Sequence, residues 1–349
     1  LPPRTTGGGY GRPGTAKVSA GIRTTLRRLL KEYGLFGSIL MGIIAYRPLS
    51  VLSPMIPYVL MTMLFFTFSR IAPRDIRPRP IHLTLIVTQI ALALGGYFLV
   101  RYLPVPFAEI YAQAVLMCFL CPVAAAAPVI VGLLGGSIAI VTSYVVINCL
   151  SIIITGPLIL GWLGHPQGTL LQSMAHVLVG VLPIVMIPLL TAFGIRRQFP
   201  SLHTKVRSLS SASLYIWIFL LSLVIANTVH FVAQERQGVA TMIVVLVLIG
   251  LITCIIQYSV GKAMSRKVLG ESVTIGQALG QKNSSISIWM IQSYLNPIAS
   301  VSQAAYSIFQ NIFNALQVIH HDRQQAREQR CNHKSITGTP NGAKKCLNH

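Results

Sequence analysis

The residues best suited to chemistry lie in two apolar stretches, each interrupted near its middle. One carries Cys121-Pro122-Val123-Ala124-Ala125-Ala126-Ala127-Pro128, the other Gly280-Gln281-Lys282-Asn283-Ser284-Ser285. Pro122 removes a backbone donor, and Pro128 suits the first turn of a new helix. Gly280 can end one half-helix, and Asn283 or Ser284 can cap the next. Non-helical backbone at membrane depth is tolerated only where it is buried in protein or lines a cavity. Two such breaks meeting would turn the partial positive charge of half-helix N-termini toward an anion. One proline kink means little in a membrane helix; two breaks at matching places mean more. Lys282 sits inside the second break, and a charge at membrane depth is costly enough to be a functional candidate. Its amino group reads as a fixed positive charge, with Gln89, Gln281 and Asn283 as hydrogen-bond partners, or as a group that gains and loses a proton. Snorkelling to an interface fits poorly with a position in mid-segment.

The elements that must position these residues follow from composition. The chain has 349 residues, of which 53% are hydrophobic and 10% charged. Soluble domains carry about 25% charged residues, so lipid is the expected solvent for most of this surface. The net charge of +21 raises nucleic acid as a partner. However, the Lys and Arg lie between apolar runs and not on one soluble face, so no nucleic-acid partner is expected. Apolar spans are read near 34–46, 52–69, 80–102, 106–134 and 137–163, then near 168–195, 210–232, 238–261, 272–293 and 296–318. The ninth is polar enough that hydropathy alone could reject it. Charge parity decides: with ten spans, 24 of the 28 Lys and Arg fall on one side and 3 on the other, leaving only Lys282 within a span. By the positive-inside rule both termini are then cytoplasmic.

Ten spans split into two sets of five. An odd number per set makes the second set enter the membrane inverted, and the breaks fall in the fourth element of each set. The expected fold is therefore an all-α membrane protein with about ten transmembrane helices. They form two inverted five-helix repeats whose broken fourth and ninth helices cross at the midplane. The expected divisions are a cytoplasmic tail at 1–33, repeats at 34–163 and 164–318, and a polar cytoplasmic tail at 319–349, largely disordered from 322. Residues 1–17 read as disordered. Residues 18–33 place Val18, Ile22, Leu26, Leu29, Leu30 and Tyr33 at helical spacing, with Arg23, Arg27, Arg28 and Lys31 between them. That is either a basic amphipathic helix on an anionic surface or a basic flank of the first span. No cleavable signal peptide is expected, because no h-region with a cleavage site follows the basic N-terminus.

The remaining candidates read more plainly. Cys118 and Cys121 have redox or metal spacing, yet no His or second pair accompanies them, so they read as small hydrophobes. His176, in an apolar segment, reads as a satisfied buried histidine. Asn148, Gln257, Gln292, Gln303 and Asn311 read as cavity-lining or as bonded across helices. The chain lacks HExxH, GxSxG and GxxxxGK[ST] motifs and an intramembrane carboxylate pair, so neither an enzyme nor a nucleotide-driven pump is expected. It also lacks a repeated filter or charge ring, which argues against an ion channel.

Over roughly residues 34–318 the chain resembles the bile acid:sodium symporters. Their fourth-helix motif is similar to Cys121-Pro122-x-x-x-x-x-Pro128-Val129, leading to a Gly-Gly turn at 135–136. Their ninth-helix motif is similar to Gly280-Gln281-Lys282-Asn283-Ser284, and likeness continues from Pro297 through Ser307-Ile308-Phe309-Gln310-Asn311. Gln89 matches a glutamine the family places near the crossover. The resemblance implies a panel domain and a core domain. It also implies uptake of a small organic anion by an elevator or rocking motion, in a bacterial inner membrane. Substrate-facing residues would be Ala126, Pro128, Asn283, Ser284, Gln310 and Asn311; Lys282, Gln89 and Gln281 would substitute for the ion or couple to it. The family binds two sodium ions. Here the aligned carboxylate position is Ala278, the fourth-helix Ser and Asn positions are Ala127 and Pro128, and the fifth-helix hydroxyl positions are Val141 and Val145. Sodium needs oxygen ligands, so their loss beside an added ammonium argues against sodium, and no cofactor is expected. The alternative is a transport-inactive relative acting as a membrane sensor or scaffold. Sequence does not fix the oligomeric state.

Overall fold

A computed structural model describes residues 34, 37–163, 169–209, 212–234 and 239–336. The expected basic segment at 18–33 lies outside them. Every regular element among the described residues is helical: α1 (37–44), α2 (Tyr46–Ser50), α3 (Ile56–Phe68), α4 (Pro80–Arg101), α5 (Ala108–Leu120), α6 (Ala127–Leu133), α7 (Ile138–Leu163), α8 (Leu170–Gln198), α9 (Pro200–Ser208), α10 (Ala212–Gln234), α11 (Val239–Leu269), α12 (Thr274–Gly280), α13 (Ser284–Tyr294) and α14 (Ser300–Ile336).

Within α4, α7, α8, α10 and α11 lie five segments long and apolar enough to cross a membrane, with mean hydropathy from 2.0 to 2.6. The side chains are arranged as lipid solvation requires. On α11, Val244, Leu248 and Ile252 recur every fourth residue on an exposed face, while Thr253, Cys254 and Gln257 are buried. A soluble amphipathic helix turns the other way. The chain is an all-α integral membrane protein.

Two helix groups meet along α7 and α8, with smaller contacts of α3 and α10 on α13 and of α10 on α14. α3 packs on α8 and α10, and α10 on α2. In the other group α4 packs on α5, α11 on α5, α12 and α14, and α6 on α7 and α12. The long α7–α8 contact connects them. It is close because Gly161 has no side chain: a Cβ there would lie 2.8 Å from the Met174 backbone.

Three expectations need correction. The second span, read from 52, opens with a turn at Ser53–Met55 before α3, and α2 carries the helical chain past the first span's expected end at 46. The connection between the spans read near 168–195 and 210–232 is helical: α8 runs to Gln198 and α9 follows after Phe199. The tail read as largely disordered from 322 continues α14 to Ile336, since no proline or glycine interrupts residues 300–336.

Glu271 organises the start of α12. Its carboxylate accepts hydrogen bonds from the Ser265 hydroxyl (3.0 Å) and the backbone amides of Val273 and Thr274. Burial alone pushes this carboxyl up. Bonds from the Thr274 side chain, these amides and Ser265 outweigh it and hold the carboxyl below the ordinary glutamate value. A lowered folded value means the stabilisation is complete above the unfolded value of about 4.3 and is lost as pH falls through the lower folded value. Amide exchange in the first turn of α12, corrected for intrinsic rate, is therefore expected to speed up below about pH 4. Glu271→Gln should remove that pH dependence, and a pH-independent profile in the parent chain would refute the assignment.

Candidate functional site: the meeting of two broken helices

The two interruptions meet and pair as short extended segments. Val123 and Lys282 form an isolated antiparallel bridge. The amide of Ala124 donates to the Gln281 carbonyl at 3.0 Å, and that of Asn283 donates to the Pro122 carbonyl at 2.8 Å. Each break thus supplies hydrogen-bond partners to the other, which is how unwound backbone survives away from water.

The end of α5 shows why polar residues gather here. In an unbroken helix, the carbonyls of Cys118, Phe119 and Leu120 would accept from the amides of residues 122, 123 and 124. Pro122 has no amide hydrogen. The Val123 amide donates instead to Asn148 Oδ1 at 2.8 Å, and Ala124 is committed to Gln281. Side chains from three other elements fill the gap. Gln257 Nε2 on α11 donates to Cys118 O at 2.8 Å, and Lys282 Nζ donates to Phe119 O at 2.9 Å. Gln89 Nε2 on α4 donates to Leu120 O and to Cys121 O.

Lys282 therefore places a buried amino group on the negative end of the α5 dipole. It is 1% exposed, and a cation at a helix C-terminus is favourable by about 0.3–1 kcal/mol, up to about 2 in partly buried settings. Its own backbone is clamped by one side chain. Gln310 Oε1 on α14 accepts from the Lys282 amide (2.8 Å), and Gln310 Nε2 donates to the Lys282 carbonyl (3.2 Å).

The expected partners of Lys282 are engaged elsewhere. Gln89 Oε1 accepts from the Tyr144 hydroxyl (3.0 Å) and from Asn148 Nδ2 (3.2 Å). Gln281 Nε2 donates to Gln277 Oε1 at 2.6 Å. Asn283 caps α13, its Oδ1 accepting from the Ile286 amide at 3.4 Å. The sequence could not show that the carbonyl of Phe119, 163 positions away in the chain, would be the acceptor.

The other candidates fall into two sets. Asn283, Ser284 and Gln310 are buried and bonded within the protein, Ser284 accepting from Gln303 Nε2 at 3.2 Å. Half-buried Asn311 donates to the Ser307 carbonyl of its own helix at 2.6 Å. Pro128 lies in the first turn of α6, as expected, and is half-buried; Ala126, just before that helix, is exposed. Asn148, Gln257, Gln292 and Gln303 all bond across helices, Gln292 through Asn227 and Thr228 of α10. His176 is corrected: it is exposed on α8, edge-on to Tyr294. Two residues that bond at the breaks were missed. Tyr144 lies one turn before Asn148 on the same face of α7. The Tyr306 hydroxyl donates to Gly280 O at 2.7 Å and closes α12 as Lys282 closes α5. Only the four-residue spacing from Asn148 to Tyr144 was a readable signal.

No protein-family model matches this chain, and no curated protein matches it. Among the described residues, Cys118, Cys121, Cys149 and Cys254 are buried free thiols, and no group of three or more His, Cys, Asp or Glu converges.

Proposed function

We propose that this chain is a secondary transporter of a small organic anion, resembling the bile acid:sodium symporters, with Lys282 standing where that family holds sodium. The observation that carries the reading is the backbone pairing of the two breaks with a buried lysine side chain inside the pair. In this reading α1–α2, α3, α4, α5–α6 and α7 form the first inverted repeat, and α8, α10, α11, α12–α13 and α14 the second. The ten spans then put both termini in the cytoplasm of a bacterial cell. The group built on α3, α8 and α10 is the panel, and the group holding the crossing is the core, moving against it during transport.

The positions where the family supplies sodium ligands favour a fixed charge. Ala127, Val141, Val145 and Ala278 are at most 1% exposed and belong to one hydrophobic cluster. Apolar packing there leaves a hard cation without oxygen ligands, while the ammonium of Lys282 supplies positive charge nearby. Half-helix N-termini at α6 and α13 add partial positive charge toward an anion.

The test is uptake of labelled organic anions into proteoliposomes, with external sodium replaced by potassium or choline. Uptake that persists without sodium is expected, and a pH gradient then separates a fixed charge from proton coupling. A strict sodium requirement would overturn the assignment of Lys282. Absence of uptake for every acid tested would favour the second reading, a membrane sensor or scaffold. That reading is favoured by one observation: Asn283, Ser284, Gln310 and Lys282 all bond to the protein itself.

A further inference from the structure

We infer that α9, together with the turn at 73–79, forms a binding surface for anionic phospholipid headgroups. The inference is independent of transport. α9 has the pattern of a helix lying in a membrane surface. Leu202, Val206 and Leu209 recur every three or four residues and fall on one stripe, in which Val206 is half-buried; Lys205 flanks the stripe and Arg207 lies toward the polar side. Phe199, Leu202 and Leu209 are 56%, 44% and 59% exposed. Ser201, Thr204 and Ser208 occupy the side away from the stripe.

The helix is fixed in place by the protein. His203 Nε2–H donates to the Ser69 carbonyl at 3.0 Å, just past the end of α3, and Arg196 Nη1 donates to the Ile71 carbonyl at 3.4 Å. These bonds set α9 and the end of α8 beside residues 69–71, a few positions before Arg74, Arg77 and Arg79, while α9 and the end of α8 carry Arg197, Lys205 and Arg207. All six are exposed. Asp75, 4.0 Å from Arg74, is the one acid in either segment, and the sequence has no Asp or Glu between residues 110 and 234. Among the described residues, Arg77, Arg79, Arg197, Lys205 and Arg207 make no ion pair. An exposed apolar stripe beside uncompensated guanidinium and ammonium groups matches the acyl–headgroup boundary of an anionic leaflet: the stripe enters the acyl edge and the cations meet phosphate.

The test is hydrogen–deuterium exchange of the full chain in nanodiscs of phosphatidylcholine with increasing phosphatidylglycerol. Exchange across 199–209 is expected to slow as the phosphatidylglycerol fraction rises, while α12 is unaffected. Each basic residue near an anionic surface contributes roughly a factor of five, so Lys205→Gln with Arg207→Gln is expected to weaken the preference about 30-fold and abolish the slowing. Both residues are exposed, so the variant should fold; unchanged exchange in α12 checks this. Equal exchange in the two lipids, or a slowing that survives the double substitution, would overturn the proposal. So would equal protection of the detergent-solubilised protein by inorganic phosphate alone, which would make the ligand a free anion.

Discussion

Organic-anion uptake by a Lys282→Gln variant is expected to fall about 10- to 100-fold, without recovery on adding sodium. The magnitude follows from losing a charge-assisted hydrogen bond, which contributes roughly 1.5–3 kcal/mol. The parent bond runs from Nζ to the Phe119 carbonyl, at the end of a helix whose dipole favours a cation. Sodium is not expected to rescue the variant because Ala127, Val141, Val145 and Ala278 are buried apolar residues that offer no oxygen ligand. Lys282→Arg keeps the charge and should retain more uptake than Lys282→Gln. Thermal unfolding in detergent separates lost transport from lost folding. A Lys282→Gln protein that folds and transports like the parent, with the same sodium response, would remove Lys282 from the mechanism.

The second large effect concerns stability and does not depend on transport. Gln89→Leu is expected to destabilise the fold by about 2–7 kcal/mol, because four cross-helix bonds disappear and such bonds contribute roughly 0.6–1.7 kcal/mol each in membrane proteins. Leu120 O and Cys121 O lose their donor, while the Tyr144 hydroxyl and Asn148 Nδ2 lose their acceptor. Gln89 is 4% exposed, so water does not replace these partners freely. The measurement is the unfolding midpoint in detergent, compared with Gln172→Leu at an exposed helix cap. A Gln89→Leu shift no larger than that of Gln172→Leu would mean that the broken end of α5 has other donors.

Much of the crossing was readable because its signals are local. Pro122 and Pro128 bracket a segment that cannot stay helical, and Gly280 followed by Asn283 spells an end and a new cap; α5, α6, α12 and α13 begin and end accordingly. The apolar runs within α4, α7, α8, α10 and α11 gave the membrane class, since burying that much hydrocarbon without polar surface is favourable only in lipid. α9 was not readable as a helix. Its nine residues are too few for periodicity to stand out, and its position depends on Ser69, a residue of another segment.

The sequence by itself determined that the protein is helical, that it belongs in a membrane, and where two of its helices must break. Hydropathy, proline and glycine act through near neighbours, so their consequences need no knowledge of the rest of the chain. Tertiary structure alone decided what the polar residues do. It turned Lys282 onto the Phe119 carbonyl, made Gln310 a clamp on the Lys282 backbone, and committed Asn283 to capping α13. Those roles depend on which backbone groups the breaks leave unpaired and which distant side chain can reach them. A buried polar group must take the partner that packing brings to it.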